Sequence, residues 1–135
     1  MTKRFLLDTD VLAQVIRAPQ GPVARRIVGV GDAGVFTSVV VACELRFGAR
    51  REGSAALTER VDQLLAGLEV LPLEPGVDRA YAEVRAALEA SGRTIGANDL
   101  LIAAHALERG AVLVTGNTAE FGRVPGLEVQ DWMRG

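Results

Sequence analysis

Short apolar runs alternate with longer segments of mixed polarity along the whole chain. The first run ends at Leu7 and is closed by Asp8, and a later run ends at Val114. Short continuous apolar runs bounded by polar or turn residues are typical of buried strands. The sequence therefore predicts four clear strands and a short fifth one: residues 4–7, 35–37, 70–73, 111–115 and 127–129.

Between these runs, apolar residues recur at helical spacing. Tyr81, Val84 and Leu88 follow the i, i+3, i+7 pattern of an amphipathic helix. Ser38 is a suitable N-cap, and Gly110 a suitable helix stop. We predict six helices: residues 11–17, 22–30, 39–51, 54–66, 77–90 and 98–109.

Strands that alternate with helices predict an α/β fold in which helices cover both faces of a mainly parallel sheet of about five strands. Pro72 cannot donate a backbone hydrogen bond, so its strand is expected at the sheet edge. The 135 residues suit one domain, residues 1–135. In such sheets, ligands bind beyond the carboxyl ends of the strands.

Composition limits the cellular compartment and the partners that can be expected for the protein. No run approaches the roughly 18 apolar residues of a membrane span, so no membrane contact is expected. Cys43 is the only cysteine, which excludes an internal disulfide and favours the cytoplasm. The net charge of −2 argues against unspecific binding of nucleic acid, which needs a basic face.

Carboxylates occur where strands end and where apolar helices begin. Asp8 directly follows the first strand, and Asp10 lies two residues further on. Glu44 interrupts the most apolar helix of the chain, where a charge is costly unless it is paired or metal-bound. Asp99 lies in the first turn of another strongly apolar helix. Each has a structural alternative: a helix cap for Asp8, an ion pair with Arg46 or a neighbouring Arg for Glu44, and a favourable helix dipole for Asp99.

Thr115 and Asn117 follow the fourth strand and are expected at the same edge of the sheet, although a simple turn explains them equally well. Three carboxylates gathered there would repel one another without a cation. Oxygen ligands of this kind suit Mg²⁺ or Mn²⁺. His105, the only histidine, and Cys43 are interpreted as packing residues, so no Ser-His-Asp arrangement is expected.

Four segments resemble the PIN-domain nucleases, and within them the VapC-type toxins of type II toxin–antitoxin pairs. Each segment is short, but all four occur in order within one chain. They are Leu6–Leu12, Ala42–Gly48, Ile95–Asp99 with Ala104–Ala106, and Leu113–Thr118 with Phe121.

The resemblance implies a three-layer α/β/α fold and cleavage of RNA by an endoribonuclease that uses Mg²⁺ or Mn²⁺. The acidic positions of the family fall on Asp8, Glu44 and Asp99, and its fourth polar position falls on Asn117. Thr115 matches a hydroxyl position near the metal. Asp10 stands where Asn is frequent, and the amide of Asn117 removes one negative charge from the site.

Family members usually bind an antitoxin, here a VapB-like protein, that blocks the active site, and many form homodimers. Arg46 and Arg50 follow Glu44 on one helix. They are candidate contacts to RNA or to the antitoxin, with a solvated helix end as the alternative.

Two other functions compete with the nuclease. Asp8 and Asp10 resemble the first motif of haloacid-dehalogenase-type phosphatases, in which Asp8 would be the nucleophile. That chemistry needs a Lys near the phosphate, and the only lysine, Lys3, precedes the motif. An inactive PIN-type binding module is the non-enzymatic alternative.

Overall fold

Five parallel strands form the centre of the computed structural model, which describes residues 3–134. The strands lie in the order β3-β2-β1-β4-β5, and helices flank the sheet. The predicted fold class is therefore confirmed. The strands are β1 (Phe5–Leu7), β2 (Val35–Ser38), β3 (Val70–Leu71), β4 (Val112–Val114) and β5 (Val129–Gln130).

Seven α-helices connect the strands within the described residues. They are α1 (Thr9–Arg17), α2 (Pro22–Val30), α3 (Val39–Glu52), α4 (Ala55–Ala66), α5 (Val77–Ala90), α6 (Ala97–Glu108) and α7 (Thr118–Phe121). A short 3₁₀ helix, Asp32–Gly34, precedes β2. The sequence pattern did not predict this turn or α7, because both are too short for a helical period to show.

Element bounds differ from the prediction where local capping decides them. Asp8 caps α1, so this helix begins at Thr9 instead of residue 11. Gly96 precedes α6, which begins at Ala97 instead of residue 98. β3 lies at the sheet edge as expected, but it ends before Pro72, whose nitrogen carries no hydrogen to continue the ladder.

β1 is the central strand, and its pairing with β2 and β4 determines which residues lie at the carboxyl edge of the sheet. Leu6 pairs with Phe36 of β2 and with Leu113 of β4, and all three side chains are buried. Truncation of such a buried side chain costs about 2–5 kcal/mol. Because the strands are parallel, the carboxyl ends of β1, β2 and β4 lie at the same edge of the sheet.

His105 is a packing residue, as predicted: it is fully buried on α6, and its Nδ1 lies 2.8 Å from the hydroxyl oxygen of Ser38. Burial lowers its pKa. The expectation for Cys43 was wrong, because Cys43 is exposed on α3. Within residues 3–134, no helix is long and apolar enough to cross a membrane.

Candidate active site

Asp8 and Thr115 meet where β1 and β4 end side by side. The backbone N–H of Asp8 donates to the carbonyl of Val114 at 2.9 Å. Beyond this ladder bond, the Thr115 hydroxyl donates to Oδ2 of Asp8 at 2.8 Å. Thr115 is fully buried and Asp8 is only 6% exposed, so this contact lies in a largely water-free place.

Asp8 has a second, structural contact, because its Oδ1 accepts the backbone N–H of Thr9 at 2.7 Å and caps α1. Burial raises the pKa of Asp8 to about 6, and the negative charges of Asp10 and Glu44 act in the same direction. The hydrogen bonds from Thr115 and Thr9 oppose this rise without cancelling it. Two hydrogen bonds thus fix the Asp8 carboxylate in buried, negatively charged surroundings that disfavour its ionised form.

Glu44 reaches the same edge from α3. Its two oxygens accept hydrogen bonds from the Thr9 hydroxyl at 2.5 Å and from the Asn98 side-chain amide at 3.4 Å. The predicted alternative, an ion pair of Glu44 with Arg46 or a neighbouring Arg, is wrong, because Glu44 has no ion pair among residues 3–134. Arg46 contacts Asp62 of α4 at 2.5 Å instead. Glu44 therefore links α1, α3 and α6 at the site.

Asp99 projects from the first turn of α6 and faces several negative charges. Its pKa is raised to about 7, chiefly by burial and then by the charge and hydrogen bonding of Glu120. Asp8 and Glu44 also raise the pKa of Asp99, which places all three predicted carboxylates within electrostatic reach of one another.

Glu120 is the acidic residue that the sequence analysis missed. It lies on α7, and its Oε1 accepts the backbone N–H of Gly96 at 3.1 Å. Its Oε2 accepts a hydrogen bond from the side-chain amide of Asn117. The backbone N–H of Asn117 in turn donates to the Thr115 hydroxyl at 3.0 Å. The spacing of Asn117 and Glu120, three residues apart after a strand, was the available signal.

Asp10 lies near Asp8 and contacts the loop that follows β4. Its Oδ2 accepts the backbone N–H of Gly116 at 2.9 Å, while its Oδ1 is buried and has no hydrogen-bond partner among residues 3–134. Burial raises the pKa of Asp10. A Cβ at Gly116 would lie 2.2 Å from Cε of Met133 and 2.8 Å from Oδ2 of Asp10, so only glycine fits here unless both side chains move.

Arg46 and Arg50 lie on the side of α3 that faces α4, where they line a shallow cleft with Thr58 and Val61. Helical geometry places Arg46 roughly 200° around the axis from Glu44. Their predicted role in RNA or antitoxin binding stays a prediction.

The Glu44 side of α3 carries Phe47 and Arg51 instead, three and seven residues further on. Phe47 is 64% exposed, and the Arg51 guanidinium lies 5.6 Å from the centre of its ring. A Cβ at Gly48, which lies between them, would meet nothing within 4 Å, so this face is open as expected.

The carboxylates are close but not arranged as a finished metal cage. Within residues 3–134, no group of three or more His, Cys, Asp or Glu side chains is placed so that it could hold an ion. Asp8 and Glu44 instead accept hydrogen bonds from hydroxyl, amide or backbone donors. The donor set, all oxygen and mutually repelling, is nevertheless the kind that hard divalent cations bind.

Comparison with known proteins identifies the family. The PIN domain matches residues 5–127, nearly the whole chain. The tRNA(fMet)-specific endonuclease VapC of Shigella flexneri is 32% identical over 133 residues, which cover 96% of this chain and 98% of that protein. This chain is a PIN-domain protein of the VapC family. The resemblance predicted from the four sequence segments is confirmed.

Other VapC proteins agree with this placement. Ribonuclease VapC2 of Rickettsia felis is 32% identical over 130 residues, covering 95% of this chain and 97% of that protein. The crystal structure of DNA-bound VapBC from Salmonella typhimurium contains a chain with a TM-score of 0.86 and 31% identity. That match covers 97% of this chain and 99% of the other. The shared fold therefore extends over essentially the full length.

Proposed function

We propose that this VapC-family protein is a metal-dependent endoribonuclease and the toxin of a toxin–antitoxin pair. The observation that carries the proposal is that Thr9, next to Asp8, and Asn98, next to Asp99, both donate hydrogen bonds to Glu44, so the three carboxylates come from three elements to one edge of the sheet. Relatives named as ribonucleases and as a tRNA(fMet)-specific endonuclease match over almost their whole length. Residues 1–135 are proposed to form one PIN domain.

Asp8, Glu44 and Asp99 are proposed to hold the ion, Mg²⁺ or Mn²⁺. Burial and mutual repulsion raise the pKa values of Asp8 and Asp99, and a cation would relieve both effects. When bound, such an ion supplies an activated water and stabilises negative charge that develops on the phosphate. Placing the three side chains around it requires them to release some of their present hydrogen-bond partners.

The surrounding polar residues orient these carboxylates. Thr115 fixes Asp8, while Thr9 and Asn98 fix Glu44, each through a direct hydrogen bond. Partners of this kind set the direction of metal ligands. In this proposal Asp10 shapes the rim by holding the Gly116 backbone, and does not bind the ion.

RNA is proposed to approach along the Glu44 side of α3. Phe47 offers an exposed ring for stacking, and Arg51 offers a cation next to it. Both lie within two helical turns of Glu44. Arg46 and Arg50 are kept as secondary candidates, since Arg46 is already paired with Asp62.

A VapB-like antitoxin is the proposed regulatory partner. The solved structures from Salmonella typhimurium and Rickettsia felis are VapBC complexes bound to DNA. A basic residue of the antitoxin would neutralise the carboxylate cluster of this chain and so block the site. Homodimer formation and a cytoplasmic location stay predictions.

The alternatives are weaker. The phosphatase is set aside because the chain belongs to the PIN-domain family. An inactive module would be expected to lack part of the acidic set, whereas Asp8, Glu44 and Asp99 are all present.

A cleavage assay tests the proposal directly. Purified protein is incubated with labelled RNA and with a chromogenic phosphate ester, each with Mg²⁺, Mn²⁺ or a chelator. We expect cleavage of RNA alone, and only with a divalent ion. Expression without an antitoxin should arrest growth. Cleavage that persists in chelator and in Asp99→Asn protein would overturn the metal mechanism.

A further inference from the structure

A buried histidine joins the two helices that carry Glu44 and Asp99. His105 lies in the last turn of α6 and is fully buried, and its Nδ1 lies 2.8 Å from the hydroxyl oxygen of Ser38. Ser38 is equally buried and is the N-cap of α3, where its hydroxyl oxygen accepts the backbone N–H of Val40 at 3.1 Å. The imidazole therefore contacts the residue that fixes the start of α3.

A second polar contact joins the same two helices at the site itself. The side-chain amide of Asn98, in the first turn of α6, donates to Glu44 of α3 at 3.4 Å. The start of α3 thus meets the end of α6 while Glu44 meets the start of α6, so the two helices run in opposite directions.

The spacing of the two contacts is nearly the same on both helices. On α3, Ser38 precedes Glu44 by six positions, a helical rise of about 9 Å. On α6, Asn98 precedes His105 by seven positions, a rise of about 10.5 Å. The two contacts are therefore separate fixed points, and together they limit how far α3 can slide along α6.

Packing alone does not favour a histidine at position 105. Its Nε2 is buried and has no hydrogen-bond partner among residues 3–134, and a buried polar atom without a partner is costly. Burial also lowers the pKa of His105, which keeps the ring uncharged at pH 7. A leucine would fill a similar volume without burying an unpaired nitrogen. What the imidazole adds is the polar contact with Ser38.

The imidazole is also fixed in orientation. The ring of Phe36 in β2 lies edge-on to it, with 6.2 Å between the ring centroids and 69° between the ring planes. Phe36 is fully buried and lies two positions before Ser38. The same stretch of chain therefore holds the ring and receives its polar contact.

We propose that His105 is a positioning residue for Glu44. Through Ser38 it fixes the register of α3 against α6, and so places Glu44 beside the first turn of α6, which carries Asp99. This inference rests on the proposed function, because its consequence is felt at the proposed metal site. His105 is fully buried and lies six positions beyond Asp99, so it acts through Ser38 alone.

Two substitutions of His105 separate the polar contact from packing. His105→Leu keeps an apolar side chain of similar size and removes the contact with Ser38. His105→Asn loses the ring but keeps a polar atom two bonds from Cβ, where Nδ1 stands, and a hydroxyl can donate to or accept from either amide atom. A packing role predicts that function follows stability and is better preserved in His105→Leu. The positioning role predicts the reverse order.

Mn²⁺ affinity measured by calorimetry on the purified full-length protein is the main readout, beside urea unfolding and RNA cleavage. We expect His105→Leu to bind Mn²⁺ about tenfold more weakly and to cleave saturating RNA about tenfold more slowly. KM for RNA should not change, because the exposed surface is unaltered. His105→Asn should bind Mn²⁺ more tightly than His105→Leu does, and equal or weaker binding contradicts the role of the contact.

Ser38→Ala tests the contact from its other side and stays decisive if a variant at position 105 does not fold. It removes the N-cap of α3 together with the partner of His105. Ser54→Ala is the matched control, because Ser54 caps α4 by accepting the backbone N–H of Leu57 at 3.1 Å, and α4 carries none of the proposed metal ligands. Both variants should lose stability, but only Ser38→Ala should bind Mn²⁺ more weakly. Weaker binding by both, or by neither, contradicts the inference.

A double-mutant cycle shows whether His105 acts through Ser38. If it does, Ser38→Ala combined with His105→Leu loses less Mn²⁺ affinity than the sum of the two single losses. Fully additive losses would mean that the two residues act independently and would overturn the positioning role.

Failure of this inference differs from failure of the proposed function. If wild type needs Mn²⁺ for cleavage while His105→Leu and Ser38→Ala bind Mn²⁺ as wild type does, the positioning role is wrong and the proposed function stands. If wild type binds no Mn²⁺ and cleaves RNA in chelator, the proposed function itself is wrong.

Discussion

The hydroxyl of Thr115 donates to the carboxylate of Asp8 at 2.8 Å, across 107 positions of sequence. The same hydroxyl oxygen accepts the backbone N–H of Asn117 at 3.0 Å. One buried side chain therefore satisfies a donor of the loop after β4 and an acceptor at the end of β1.

Thr115→Val is expected to remove both bonds while it preserves shape. The Asp8 oxygen and the Asn117 N–H would lose their buried partner, at a cost of about 1–3 kcal/mol in the free energy of unfolding. RNA cleavage should fall as well, because Asp8 loses its orientation. Urea unfolding measures the change in stability, and cleavage rates measure the change in activity. Thr115→Ser, which keeps the hydroxyl, serves as control. Equal stability of Val and Ser variants would contradict this role.

Asp8→Asn and Asp99→Asn are expected to reduce RNA cleavage by about 100-fold or more, because each removes a negative oxygen from the metal site. Folding should survive, since Asn caps a helix about as well as Asp does. Glu83→Gln, which changes an exposed carboxylate on α5, is the control and should cleave normally. Thermal melts recorded beside the assay separate lost activity from lost structure.

Metal-free protein should become more stable as the pH falls from about 8 to about 5. In the folded protein the pKa of Asp99 is about 7 and that of Asp8 about 6, against 3.8 for an ordinary Asp. Over this interval the folded protein binds protons that the unfolded chain does not, so the free energy of unfolding rises as the pH falls.

Mn²⁺ affinity should change in the opposite direction, because the ion must displace those protons. Melting temperatures with and without Mn²⁺ between pH 5 and 8 test both trends. Asp99→Asn should flatten the metal-free curve above pH 6. A metal-free melting temperature that rises with pH over this interval would contradict the assigned protonation.

Arg51→Ala is expected to weaken RNA binding more than Arg46→Ala does. Arg51 lies on the Glu44 side of α3, whereas Arg46 is engaged with Asp62. Loss of one phosphate contact should reduce the slope of log affinity against log salt by about 0.7 for single-stranded RNA. Binding measured in the Asp99→Asn background avoids cleavage. A larger change for Arg46→Ala would place the RNA on the α4 side instead.

Much of the fold could be predicted because its strands are short apolar runs that end in polar residues. Asp8 and Thr115 were placed at one edge from this pattern alone, since parallel strands bring their carboxyl ends together. Glu44 and Asp99 could be named as candidates from unusual charge in apolar helices.

The exposed side of α3 and the role of Glu120 could not be predicted, because both depend on contacts between residues that are distant in sequence. Val39, Cys43 and Phe47 are exposed although other apolar residues of α3 are buried, and only the packing of α3 against the other elements decides which side faces out. Glu120 was missed because α7 is one turn long. Glu120 contacts the Gly96 backbone and raises the pKa of Asp99, and both residues are more than twenty positions away in sequence.

The contact between Gly116 and Met133 links the evolution of two distant positions. Any side chain at 116 would enter the space that the Met133 methyl group fills, at 2.2 Å from its own Cβ. A larger residue at 116 would therefore require the side chains of Met133 and Asp10 to shift, and we expect the residue types at these three positions to covary among relatives. Because the Gly116 backbone N–H also donates to Asp10, the choice of residue at position 133 is coupled to the edge of the sheet that carries Asp8.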